Sequence, residues 1–202
     1  MERTERTDRT DRPDRRRRDG RQGDRPRDDK QEELDQRIVD VTRVAKVIKG
    51  GRRFAFRALI VVGNNNGKVG IGIGKARGVQ DAIRKATDRA RNNMKDVNIV
   101  SGTIPHEILS KHGGAKVLLK PASPGTGIKA GGGVRAVLEA VGIHDILTKS
   151  LGSSSKMNAT YATFYGLMDL KNVEDESKRR NKTAADVQPF WRRGNGSSTN
   201  SE

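Results

Sequence analysis

An α+β fold is predicted by three features of the chain. Val- and Ile-rich segments with period-two alternation recur over residues 38–73, a helical stripe follows over 79–95, and apolar segments separated by glycine-rich connectors repeat a smaller strand-and-helix pattern beyond Val97. The 202 residues suit one or two small domains with tails. The expected division is a tail over 1–33, a first folded domain over 34–97, a second over 98–171 and a polar tail over 172–202.

Taken in order, residues 38–49 (IVDVTRVAKVIK) read as a strand, and Lys49-Gly50-Gly51-Arg52-Arg53 as a turn with a cationic tip. Phe54, Phe56, Ala58, Ile60 and Val62 alternate on one face of a second strand. Asn64-Asn65-Asn66-Gly67 is turn chemistry, because Asn and Gly tolerate positive φ. A third strand follows, with Val69, Ile71 and Ile73 on one face. Gly70, Gly72 and Gly74 lie on the other, where another group can approach closely. Val79, Ile83, Ala86, Ala90 and Met94 keep helical spacing, with Arg84, Lys85, Arg89 and Arg91 largely off that stripe. This first unit is three antiparallel strands and one helix, which leaves one sheet face uncovered.

In the second unit, Lys116–Lys120 reads as a strand and Pro121–Gly133 as a glycine-rich connector, with Gly131-Gly132-Gly133 delaying the next helix. Val134, Val137, Leu138 and Val141 mark that helix, and Gly142 suits its C-cap. Ile143–Leu147 is a brief apolar segment and Gly152–Ser155 a loop. Ala159, Ala162, Phe164, Tyr165 and Met168 populate a last helix over about 157–170. From about Asn172 the chain turns polar, and Phe190 and Trp191 there suit docking onto a partner or onto the body of the protein.

The chain carries 41 Lys and Arg against 25 Asp and Glu, a net charge of +16. Residues 1–33, with Arg at every third position, hold 12 basic and 11 acidic side chains, a net +1; residues 34–202 hold 29 and 14, a net +15. The Arg/Asp-rich tail has almost no apolar residues to offset ordering entropy, so disorder is expected there. It is either an RNA-touching arm or a solvated polyampholyte, and charges of alternating sign cancel at Debye-length range, which favours the second. The positive field belongs to the folded part, and its natural counterpart is a polyanion.

Other classes fit poorly. There is no cysteine, so disulfides and thiolate metal sites are excluded, and a reducing compartment fits. The longest apolar run, Ala58–Val62, is far too short to span a bilayer, and no secretory signal is visible, so a cytoplasmic location is expected. A P-loop needs G-x-x-x-x-G-K-[ST]; Gly74-Lys75 supplies the Gly-Lys, but Val69 stands at the first glycine and Ala76 at the hydroxyl. Gly125-Thr126-Gly127-Ile128-Lys129-Ala130 fits G-x-G-x-x-A with Asp145 20 residues after Gly125, which keeps a nucleotide-binding enzyme as the alternative. That fingerprint must open a helix directly after its strand, and Pro121, Pro124 and the three glycines stand against it. His106, His112 and His144 lack metal-ligand spacing and read as loop residues or polar contacts, with His112 beside Gly113-Gly114 a candidate phosphate contact. No carboxylate cluster or nucleophile elbow appears, so neither catalysis nor a cofactor is expected.

Basic residues instead gather beside turns and glycines: Lys46, Lys49, Arg52, Arg53, Arg57, Lys68, Lys75 and Arg77. Cations next to accessible backbone suit phosphate contact. The strand 69–74 lacks the aromatics that stack unpaired bases on RRM-type sheets, so recognition of structured RNA through shape and phosphates is expected.

The stretches VAKVIKGGRRFAFRALIVVGNNNGKVGIGIGKA, QDAIRKATDRARNNM, LLKPASPGTGIKAGGGVRAVLEAVGI and DILTKSLGSS resemble the bacterial small-subunit ribosomal protein five family, over about Leu34–Leu170. The resemblance implies a double-stranded-RNA-binding-domain-like first domain and a small α/β second domain with a left-handed βαβ crossover, a rare handedness. It implies no enzyme. It implies binding to small-subunit rRNA at the back of the body, stabilisation of the head relative to the body, and a share in translational accuracy with proteins four and twelve. Proteins four and eight are implied neighbours, messenger RNA where it enters the subunit is a further candidate partner, and no homo-oligomer is implied.

By the same resemblance Lys49, Gly50, Gly51, Arg52 and Arg53 match the loop that reaches rRNA, and Lys68, Lys75 and Arg77 the basic strand ends. Gly114 and Lys116 match the region facing protein four. Lys120, Ser123, Thr126 and Lys129 match the glycine-rich segment of the second domain, as RNA or neighbour-protein contacts. The long Arg/Asp tail departs from shorter family members.

Overall fold

The computed structural model describes residues 34–183 and 187; the expectations for 1–33 and for Phe190 and Trp191 lie outside the described residues. Strands β1 (Asp35–Ile48), β2 (Gly51–Gly63) and β3 (Lys68–Ala76) form an antiparallel meander, and helix α1 (Val79–Asn92) follows. A short β4 (Lys95–Asp96) adds a fourth strand beside β3, which two residues of sequence give no pattern to reveal. The second sheet has β5 (Ile108–His112), β6 (Ala115–Pro121), β7 (Ile128–Lys129) and β8 (Ile146–Gly152) in the order β5-β6-β8-β7. Helix α2 (Gly132–Val141) joins the parallel pair β7 and β8 as a βαβ unit, and α3 (Lys156–Met168) and α4 (Val173–Arg180) close the described chain.

The meander's turns have identifiable causes. Ile48 pairs with Gly51, so Lys49-Gly50 is a two-residue loop, and Gly50 supplies its positive φ of 88°. At the next turn the Asn64 side-chain oxygen accepts from the backbone N–H of Asn66 and of Lys68, at 2.9 Å each, while Asn65 takes the left-handed φ.

The two faces of the first sheet are both buried. Ala58, Ile60 and Val62 pack with Ala82, Ala86 and Ala90 of α1. Leu59, Val61, Val69 and Ile71 face the other way, into a core shared with α2, α3 and the second sheet. The face that one helix left open is thus covered by the rest of the chain. The glycine face receives α1: an added Cβ at Gly70, Gly72 or Gly74 would stand 2.0–2.1 Å from the carbonyl oxygens of Ala90, Ala86 and Ala82. The helix's buried line is therefore Ala82-Ala86-Thr87-Ala90. Val79 of the expected stripe is 37% exposed, because close backbone approach favours small residues over large ones.

The turn between β2 and β3 also reaches α2. Asn65 N–H donates to the Ala140 carbonyl at 3.1 Å and Gly67 N–H to Val141 at 2.9 Å, so the turn satisfies carbonyls that α2 leaves open at its C-terminus. A Cβ at Gly63 would meet the Ala140 oxygen at 1.9 Å, and one at Gly142 the Asn65 oxygen at 2.0 Å. Arg37 of β1 pairs with Glu139 of α2, and Lys156 of α3 with Asp40 of β1 at 3.0 Å.

Gly142 caps α2 at φ 91°, as its position suggests. Gly132 and Gly133 belong to α2 and do not delay it: the first turn asks no intrahelical bond of their N–H groups, and a Cβ at Gly133 would stand 2.7 Å from Thr160 Oγ1 of α3. Ile143–Leu147 leads into β8, which runs on to Gly152. The polar stretch after Asn172 contains α4, where Glu174, Asp175 and Glu176 occupy the first turn and Lys178, Arg179 and Arg180 the last, in accord with the helix dipole. It has no buried residue, so no apolar stripe marks it in the sequence.

Candidate nucleic-acid interface

Register assigns the cations of the β1–β2 hairpin to its faces. Lys46 lies directly opposite Arg53, and Arg57 opposite both Thr42 on β1 and Lys75 on β3. All of these share the face of Leu59 and Val61, and continue it past the covered core. Like charges directly across a sheet repel, by roughly 0.2–1 kcal/mol per pair. Among the described residues none of Lys46, Lys49, Arg52, Arg53, Arg57, Lys75 and Arg77 has a carboxylate within ion-pair distance. Asp40, whose carboxylate is taken by Thr42 and Lys156, brings a negative charge near Arg57. Those two hydrogen bonds, chiefly the one from Thr42, hold the Asp40 carboxyl below its usual range.

On the opposite face the Arg43 guanidinium lies 3.6 Å above the Phe54 ring, and Arg52 stands opposite Val47. Val47 is 73% and Phe54 50% exposed. Nothing lies within 4 Å of where a Cβ of Gly50 or Gly51 would stand, so the tip's backbone is open to a large ligand. The hairpin thus presents cations on both faces around an accessible tip. The Arg43–Phe54 pair was not legible in the sequence as a site; cross-strand register creates it.

Not all the predicted residues join this surface. Lys68 starts β3, at the far end from Lys75, and its ammonium lies 3.9 Å from Asp96. Arg77 follows β3 directly and is exposed near Lys75. In the second sheet Lys116, Lys120 and Lys129 share the outer face by register, together with Lys111 opposite Lys116, and Leu147 between Lys120 and Lys129. Lys120 pairs with Glu107 at 3.4 Å. Gly114 lies in the β5–β6 turn, where its carbonyl accepts from Ser153 N–H at 2.9 Å. Ser123 and Thr126 bond each other across a tight turn, Thr126 Oγ1 donating to the Ser123 carbonyl at 2.8 Å.

The Gly125–Ala130 connector lacks a phosphate cradle at its centre. The Thr126 N–H is taken by Ser123 and the Gly127 N–H by the Asp145 carboxylate at 2.9 Å. Asp145, spaced like a ribose-binding acid, instead ties the loop to the start of β8. β7 intervenes before α2, so the motif does not open the helix. His106 bridges the Glu107 carbonyl and the Lys171 N–H, and His112 lies among aromatic rings. Among the described residues no helix is long and apolar enough to cross a membrane.

Unpaired cations in cross-strand rows, on a hairpin of an α+β body, define a polyanion-binding protein. Comparison with known proteins narrows the class. Residues 34–98 match the family model described as "Ribosomal protein S5, N-terminal domain" and residues 110–180 that described as "Ribosomal protein S5, C-terminal domain". Over 164 residues the chain is 50% identical to the small ribosomal subunit protein uS5 of Thermotoga maritima, a match covering 81% of this chain and 92% of that one. The chain belongs to the ribosomal protein S5 family. It is a structural constituent of the small ribosomal subunit, an rRNA-binding protein of the translation machinery, from a family of ribosome components and not of enzymes.

Proposed function

We propose that the β1–β2 hairpin, with the β3 end beside it, is the principal rRNA-binding element, through Lys46, Lys49, Gly50, Gly51, Arg52, Arg53, Arg57, Lys75 and Arg77. The observation that carries this reading is the pair of like-charge rows, Lys46 with Arg53 and Arg57 with Lys75, which cost stability in the free protein and are offset by phosphates. In this reading the hairpin meets small-subunit rRNA at the back of the body, where the protein stabilises the head relative to the body, and the family resemblance supports it. Lys68 makes a separate phosphate contact at the other end of β3.

The outer face of the second sheet serves neighbours. Gly114 and Lys116 face protein four, and Lys120, Ser123, Thr126 and Lys129 contact RNA or a neighbouring protein, with protein eight the second partner. Through protein four, and with protein twelve, the chain contributes to translational accuracy, and messenger RNA passes close by where it enters the subunit. The protein works in the cytoplasm, within the ribosome. Co-sedimentation tests the whole reading: the chain pellets with small subunits at moderate salt, and recovery only in the soluble fraction would sink it.

A further inference from the structure

The chain has only two tyrosines, and the fold puts them one turn apart on α3, as Tyr161 and Tyr165. The His112 ring, from the end of β5, closes on both, with centroids 5.2 Å from each; the tyrosine rings are 6.2 Å apart and stacked. These rings are not simply core. Ala162, Thr163, Gly166 and Leu167 occupy the buried side of α3, whereas Tyr165 is 42% exposed and Tyr161 and His112 are half-buried.

Polar and charged groups surround the rings. Asn158 continues the same stripe one turn before Tyr161, beside Gly113 of the β5–β6 turn, and its side-chain amide has no hydrogen-bond partner among the described residues. Arg89 of α1 is close enough for its charge to act on the Tyr161 hydroxyl, and its guanidinium is oriented by the Ile73 carbonyl at 2.6 Å. Arg89 has no carboxylate within ion-pair distance among the described residues. A π surface, a free amide and an unpaired cation offer one ligand its three parts: a base face, a base edge and an adjoining phosphate.

We propose that His112, Tyr161 and Tyr165 form a stacking site for a single unpaired RNA base, with Asn158 reading its edge and Arg89 holding an adjoining phosphate. A paired base cannot reach these rings, so the site recognises a bulged or looped nucleotide, a mode distinct from phosphate contact along the hairpin. The inference rests on the rRNA-binding reading only in that its ligand is RNA.

The test uses the full chain and two fluorescein-labelled probes of equal charge and length, a hexa-adenylate and an abasic hexamer, titrated by anisotropy. The wild type should prefer the hexa-adenylate by about tenfold, the scale of one stacked base. Tyr165→Phe should keep that preference; Tyr165→Leu, which keeps bulk without a π face, and His112→Leu, on a different element, should lose it. Equal affinity of the wild type for both probes, failure to bind either, or a preference that survives in Tyr165→Leu would overturn the proposal. The last result would leave the rings a packing seal or a seat for a neighbouring protein. Arg52→Glu separates the two readings, since it should weaken binding to structured rRNA and leave the base preference unchanged.

Discussion

Gly72 shows how a single residue's role is set by what approaches it. Alternation puts Gly70, Gly72 and Gly74 on one side of β3 and leaves the approaching group unnamed; the group is the backbone of α1. A Cβ at Gly72 would stand 2.0 Å from the Ala86 carbonyl and 2.6 Å from the Ala90 nitrogen. Gly72→Ala must therefore shift the helix, and we expect a loss of about 1–3 kcal/mol or more, seen as a lower midpoint in thermal denaturation. The glycine pattern was legible as a demand for space. Its partner was not, because Ala82 and Ala86 carry little amphipathic signal of their own. Asp40 gives a second prediction at this scale. Its folded pKa lies below the ordinary value of 3.8, so its bonds to Thr42 and Lys156 add stability that is present above that value and lost as pH falls through the lower folded value. Asp40→Asn should lower the melting temperature by a constant amount between about pH 5 and 8, and the gap to wild type should close under acid.

At the scale of elements, the hairpin trades stability for binding. Arg53→Gln removes one member of a like-charge pair at an exposed position, so the free protein should melt no earlier and gain up to about 1 kcal/mol. The same change should weaken RNA binding and reduce the slope of log affinity against log salt by about 0.7–0.9. A variant that loses both stability and binding would mean the pair is structural. The long strands, α1, α2 and α3 were legible because alternation or helical spacing runs over many residues. The two-residue β4 and β7 were not, since so short a segment has no period, and β5 was not because polar Ser110 and His112 take its inner positions and leave no apolar alternation. α4 was hidden because its order comes from charge and a cap, not from burial. The site was legible as cations near glycines, but not as rows: which lysine faces which arginine depends on the register of three strands. Lys68 belonged to the sequence pattern and not to the surface.

For the whole molecule, the notable feature is how firmly the first sheet is tied to the remainder. Leu59, Val61, Val69 and Ile71 lie in one core with Val117, Leu138 and Ile146, and the Asn64–Gly67 turn caps α2. Sequence reading divides the chain at about Val97, because strand and helix signals restart there; it has no means of seeing a core that both parts share. Cutting Leu138 to Ala should cost about 2–5 kcal/mol. Amide exchange should then quicken in β2 and β3 as well as in β6, whereas loss of protection in β6 alone would mean two separately stable parts. The account's central claim is that the hairpin grips rRNA, and its most direct test is the affinity of the full chain for small-subunit rRNA across a salt series. The double variant Arg52→Glu, Arg53→Glu should bind at least tenfold more weakly at moderate salt and with a shallower salt dependence, and unchanged affinity and slope would contradict the claim.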